Sequence, residues 1–309
     1  MMFDIIVKGG TVVDGSGEPG FEGDVAIAGG VVKGIGPGLS GEGAKTIDAR
    51  GKFVTPGFVD ITNHSDKNWA LFENPNQDYL LTQGVTTILV GNCGTSLAPL
   101  LSPAAADTLK KWRLGPQSNI NWASVGEFLA ELGRHPLGLN VGTLMGHGTI
   151  RRGLLEGASR PLVGEEMQQF LEAVETGMAE GAFGLSVGLA YSHESPATTE
   201  ELVALATAVG RTGGAVKMHL RSEGLELGAA VNEAIQVARE SRATVIISHF
   251  KAVGRRVWPG FEKALEMISR ANENGARVRF DLSPYLRTGS FLYILLPAWA
   301  REGGFDVMC

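Results

Sequence analysis

The chain has 309 residues, 44% hydrophobic and 19% charged, with a net charge of −6. At about 150 residues per domain that is two domains, or one large barrel with an appendage, and the composition excludes a disordered or fibrous chain. An acidic chain with no basic run is a poor partner for nucleic acid or an anionic membrane, and two cysteines cannot build a disulfide framework.

Residues 1–55 are short β-rich runs, FDIIVKGGTVVDG, GDVAIAGGVVKGIG and AKTIDARGKFVTPG, broken by glycine pairs and Asp-Gly. That punctuation predicts hairpins and a small β domain. The N-terminus lacks the basic region and long apolar run of a signal peptide, so a cytoplasmic location is expected. From residue 56 onward, strand-like and helix-like segments alternate. Strands are predicted at 58–66, 86–93, 139–147, 182–189, 215–221, 243–251 and 277–285. Helices are predicted at 163–181 and 198–214, which open on acidic residues and close on glycine, and at 225–240 and 261–274. Strands spaced by helices give βαβ units and a parallel sheet. Seven such units point to an α/β chain with a (β/α)8 TIM-type barrel over residues 56–309. The segment 288–309, TGSFLYILLPAWAREGGFDVMC, does not read as an eighth strand with its helix. The expected barrel is therefore either built from seven strands or incomplete, the sequence then being the N-terminal portion of a longer protein. Its apolar run at 291–300 is too short to span a bilayer, which takes roughly 20 residues.

In such a barrel the chemistry sits at the carboxyl ends of the strands. There stand His64, Asp66, Cys93, His147, Tyr191, His193, His219, Arg221, Glu223, His249, Lys251, Asp281 and Tyr285; of six histidines only His135 is elsewhere. Residues i and i+2 share a strand face. Lys217, His219 and Arg221 share one, His249 and Lys251 another, and Asp60, Thr62, His64 and Asp66 a third. Two imidazoles on adjacent strands, with the Cys93 thiol reaching across the mouth, suit a catalytic Zn²⁺ with one open position. Arg221 and Glu223 are also readable as a simple ion pair, and Cys93 as a small core filler.

The segment VTPGFVDITNHSD (54–66) resembles the strand-one signature of the amidohydrolase superfamily, and within it the D-aminoacylases or N-acyl-D-amino-acid deacylases. The likeness continues through QGVTTILVGNCGTSLAP (83–99), GTLMGHGTIR (142–151), GAFGLSVGLAYS (181–192), KMHLRSEG (217–224), ISHFKAVG (247–254) and FDLSPYLRTGSFLYILLPAWAREGG (280–304). The resemblance implies a barrel plus a small β-sandwich to which residues 1–55 contribute. It implies zinc-dependent hydrolysis of the amide bond of a small N-acylated D-amino acid. It places the tight zinc site on Cys93, His219 and His249, with His64 near a weaker second metal. Lys251, Tyr191 and Tyr285 fall at positions that contact substrate in the family, and Arg221 is added from its place at the strand end. Two departures stand out. The family's His-x-His after strand one is here Thr62-Asn63-His64, so a second metal is doubtful. The family's catalytic aspartate follows strand eight and is expected beyond residue 309. A homologue that binds metal or ligand without turnover is therefore an alternative. A cyclic-amide hydrolase of the dihydropyrimidinase or dihydroorotase kind is another, although GLSVGL offers no lysine for carboxylation.

Overall fold

The computed structural model describes residues 2–110, 120–290, 292–296 and 300. The chain divides into two compact units, Met1–Phe58 and Val59–Cys309.

The first unit is one mixed sheet. Its strands are β1 (Met2–Val12), β2 (Phe21–Ala28), β3 (Val31–Gly36), β4 (Glu42–Asp48) and β5 (Phe53–Val54), in the order β3-β2-β1-β4 with β5 also on β1. β2 and β3 form an antiparallel hairpin across Gly29-Gly30. Both glycines have positive φ, 61° and 71°, the backbone that a two-residue hairpin turn needs. Phe3, Ile6, Val12, Val25 and Ala26 form its buried side.

The second unit alternates strand and helix. The strands are β6 (Phe58–Asp60), β7 (Val85–Val90), β8 (Asn140–Thr143), β9 (Met145–Gly146), β10 (Gly184–Gly188), β11 (Ala215–His219), β12 (Thr244–Ile247) and β13 (Val278–Phe280). Between β6 and β8 run α1 (Ala70–Glu73), α2 (Asp78–Leu81), α3 (Pro103–Lys110) and α4 (Val125–Leu132). Then follow α5 (His147–Leu155), α6 (Gly164–Ala179), α7 (Thr199–Arg211), α8 (Leu227–Ser241) and α9 (Trp258–Glu273). The strands lie in chain order, β6-β7-β8 and β9-β10-β11-β12-β13. Pairing is parallel from β9 to β13 and between β7 and β8. This is the α/β arrangement of the TIM-barrel type.

All seven predicted strand regions contain strand, but two are reshaped. Only three residues of 58–66 are extended, because Thr62 to Asp66 turn on backbone N–H groups of Thr62 and Ser65 that donate to the Asp60 and Asn63 side chains. The region 139–147 breaks at Leu144. Its N–H binds the Val90 carbonyl at 2.9 Å, while Phe183 N–H binds the Thr143 carbonyl at 2.9 Å. The backbone thereby hands over from the β7 side to the β10 side. His147 then opens α5 instead of ending a strand.

The helices follow their sequence signals. Thr198 caps α7, its hydroxyl accepting the Glu201 N–H at 3.2 Å. Leu202, Leu205, Ala206 and Val209 of α7 are buried, as are Val231, Ala234, Ile235 and Ala238 of α8. They cover a sheet core of Ile88, Val90, Leu185, Val187, Val216, Met218, Val245, Ile247 and Val278. The expectation that no eighth strand follows falls mostly outside the described residues.

Candidate metal centre

Three strand ends converge. β7 stops at Val90, and Gly91-Asn92 carry the chain to Cys93. β11 ends on His219 itself, and His249 stands two residues beyond β12. The nearest ligand atoms of Cys93, His219 and His249 all lie within 4.8 Å of one another. Cys93 Sγ is 3.4 Å from His249 Nε2 and 3.9 Å from His64 Nε2. The His219 and His249 rings meet edge to face, centroids 4.5 Å apart.

The backbone is bent to achieve this. Among the described residues only six non-glycine positions have positive φ, and two of them are Cys93 (55°) and His249 (38°). Side chains disfavour that region, and such strain collects where geometry is over-determined by surroundings. At Cys93 the neighbours are arranged for it. Gly94, at φ 75°, leaves room for the Glu194 carboxylate, which a Cβ there would strike, and Gly94 N–H binds Ser186 Oγ at 3.0 Å. At His249 the backbone N–H donates to Asp281 Oδ1 at 2.6 Å.

The electrostatics favour a ligating thiolate. Burial pushes the Cys93 thiol up, but hydrogen bonds to His219, His249 and His64 outweigh it and hold it well below its usual value. Burial alone would lower His249. Its contacts to Cys93 and Glu223 outweigh that and raise it to about 9. Glu223 is also held down, to about 2, against burial, by His249, His219 and Lys251.

Glu223 is the functional residue that strand alternation did not single out. Its Oε1 lies 3.0 Å from His249 Nδ1 and 2.6 Å from Lys251 Nζ. A carboxylate on Nδ1 leaves Nε2 of His249 facing Cys93, the usual outer-shell device for fixing a metal-binding imidazole. Its signal in the sequence was its place four residues after His219, beyond the end of β11 where strand alternation no longer applies. The Arg221–Glu223 pair is not formed. Arg221 binds Glu233 of α8 at 2.8 and 3.1 Å, and the Ser195 and Ala197 carbonyls. β11 ends at His219, so face-sharing ends there too, and Arg221 turns outward.

A cavity of about 370 Å³ opens over the trio, lined also by His64, Tyr191, Glu223, Lys251 and Ser290. Tyr191 packs edge-on against His219, centroids 5.0 Å apart. Its hydroxyl is held neutral, raised first by burial and then by Cys93. Arg221 and Tyr285 do not line this cavity, and Tyr285 is 75% exposed. His147 and His193 are outside it as well. A larger groove, about 490 Å³, runs past Leu101, Ser124 and Glu172 and has no His or Cys in its lining.

The trio fits zinc. One thiolate and two imidazoles are a good donor set for that ion. His64 Nδ1 and His219 Nδ1 are buried atoms with no hydrogen-bond partner, a condition that buried polar groups rarely tolerate.

No family model matches the chain. An N-acyl-D-aspartate deacylase of Alcaligenes xylosoxydans xylosoxydans is 34% identical over 290 residues, 94% of this chain and 57% of that protein. The crystal structure of an N-acyl-D-glutamate deacylase from Bordetella bronchiseptica, in complex with zinc and a phosphonate mimic of the tetrahedral intermediate, superposes with a TM-score of 0.84. It is 30% identical and covers 92% of this chain and 59% of its own. A D-aminoacylase structure, described for its binuclear metal centre with one-metal activation and second-metal attenuation, gives a TM-score of 0.82. It is 31% identical over 92% of this chain and 59% of its own. The chain thus spans a little under two thirds of the length of the relatives it matches. Along nearly all of its own length it is homologous to N-acyl-D-amino-acid deacylases, one of whose structures is described as defining a subset of amidohydrolases.

Proposed function

We propose that this chain carries the zinc-binding half-site of an N-acyl-D-amino-acid deacylase, a hydrolase that releases a carboxylate and a free D-amino acid. Its fold reads as seven strands of an eight-stranded barrel, with residues 1–55 contributing to a small β-sandwich. The convergence of Cys93, His219 and His249 within 4.8 Å at the floor of a cavity carries the proposal. Those three residues would hold one zinc ion, with His64 beside them. Zinc there supplies Lewis acidity, polarising an amide carbonyl and making water acidic near neutral pH.

The chain's own residues do the rest of the binding. Lys251, held by Glu223 at 2.6 Å, presents an ammonium to the cavity. It is the group to receive the substrate carboxylate, as a point charge. The neutral Tyr191 hydroxyl is a donor for the acyl oxygen. Arg221, with its guanidinium consumed by Glu233 and two carbonyls, and the exposed Tyr285 contribute nothing in this arrangement. β10, with the sequence GLSVG, carries no lysine to carboxylate, which disfavours the cyclic-amide alternative.

A second reading, metal and ligand binding without turnover, is favoured by one observation. Thr62, where the resemblance leads one to expect a histidine, is already bonded to Asp281 at 2.8 Å. Zinc analysis and an assay with N-acetyl-D-amino acids separate the two. We expect bound zinc, lost in Cys93→Ala. Hydrolysis of D but not L substrates supports the enzyme, and zinc without hydrolysis supports the binder. Absence of zinc from the purified chain would overturn both.

A further inference from the structure

Lys217 is buried in the second unit, 1% exposed, on β11 two residues before His219. A cation taken out of water needs compensating oxygens. Lys217 Nζ has three: the Ile61 carbonyl and the Thr62 hydroxyl, each at 2.5 Å, and Asp281 Oδ2 at 2.9 Å. A carbonyl, a hydroxyl and a carboxylate converging on one point are the donors a hard metal cation takes. The cage is saturated. The Thr62 hydroxyl donates its one proton to Asp281 Oδ2 at 2.8 Å and accepts from Lys217. The other Asp281 oxygen accepts the His249 N–H at 2.6 Å. One ammonium therefore ties the turn after β6 to the segment after β13, and touches the residue that sets the His249 backbone.

Resting on the zinc reading above, we propose that the Lys217 ammonium is a built-in second cation, standing in for a second metal ion, so that the chain holds a single divalent ion. The D-aminoacylase relative is described as binuclear. In this chain the oxygen donors that could serve such an ion are taken: Thr62 is committed to Lys217 and Asp281. Thr62 precedes His64 by two residues and Lys217 precedes His219 by two, and a divalent ion entering their cage would meet a fixed positive charge in a buried setting where like charges repel strongly. Excess zinc should then leave this chain without the second-metal attenuation of that relative.

The test is zinc per chain, measured by mass spectrometry after equilibration with excess zinc and removal of free ion. Wild type and Lys217→Arg should hold one ion, and Thr62→His alone should also hold one, since the ammonium remains. Thr62→His combined with Lys217→Ala should hold two. Wild type holding two ions overturns this inference and leaves the zinc reading intact. Wild type holding none overturns the zinc reading, and the inference with it. A folded double variant that stays at one also overturns the inference. Should circular dichroism show that variant unfolded, the wild-type and Thr62→His counts decide, two ions in either being the refuting result.

Discussion

Glu223 shows how much one carboxylate decides in this pocket. It has three neighbours, His249, Lys251 and His219, and it is the partner that orients an imidazole and an ammonium at once. Outer-shell carboxylates of this kind typically change metal affinity about 10–100-fold. Glu223→Gln keeps the shape and loses the charge. We expect zinc to bind roughly 10–100-fold more weakly in that variant, as read by competition with a chromophoric chelator. An unchanged dissociation constant would show that Glu223 serves only Lys251.

At the scale of elements, α5, α7 and the loop after β10 are joined by a buried ionic cluster. His147, the first residue of α5, is fully buried. Its Nδ1 lies 2.8 Å from Glu194 and its Nε2 2.9 Å from Glu201 of α7. Arg151, on the next turn of α5, binds the same Glu201 at 2.5 Å. Burial disfavours the imidazolium, but the two carboxylates outweigh it and raise the His147 pKa above 6.5. The folded protein thus keeps a proton that the unfolded chain gives up above about pH 6.5. The stability this supplies is complete below that pH and is lost as pH rises through the raised folded value. Melting temperature should fall as pH increases from about 6.5, and His147→Asn should weaken that dependence, leaving the part that His249 supplies. Removing the imidazolium from between these two buried carboxylates should also cost about 3–5 kcal/mol. Parallel melting curves for the two proteins across this range would refute the assignment. The cluster abuts the metal centre too, since Glu194 nests against Gly94 and accepts the Gly188 N–H at 2.8 Å.

At the scale of the molecule, the strand series of the second unit ends, among the described residues, on β6 at one side and β13 at the other. A free strand edge is a template for pairing with another chain. Beside β13 the surface is also apolar: Leu282 is 59% exposed and Leu286 fully so. Exposed apolar edges of this kind mark interaction or aggregation sites. The purified chain should self-associate with rising concentration, and the pair Leu282→Lys and Leu286→Lys should reduce it, as measured by light scattering on a sizing column. A wild-type chain that stays monomeric throughout would remove this expectation. No helix among the described residues is long and apolar enough to cross a membrane.

Sequence alone determined the alternation of strand and helix, since apolar period and capping residues are local properties. It placed β7, β10, β11 and β12 and the helices α6 to α9, and it brought Cys93, His219 and His249 to strand ends. It failed where long-range bonds override local pattern. The strand-end rule put His147 at the barrel mouth, but the chain switches partners at Leu144, and His147 starts a helix with two glutamates waiting for it. Alternation likewise grouped Arg221 with His219, although the strand stops between them. Only the tertiary structure decided that Glu223 belongs to His249 and that Lys217 fills the cage of Thr62 and Asp281. Those partners lie as far as 219 residues apart in the chain, and no local propensity encodes which buried charge will meet which oxygen.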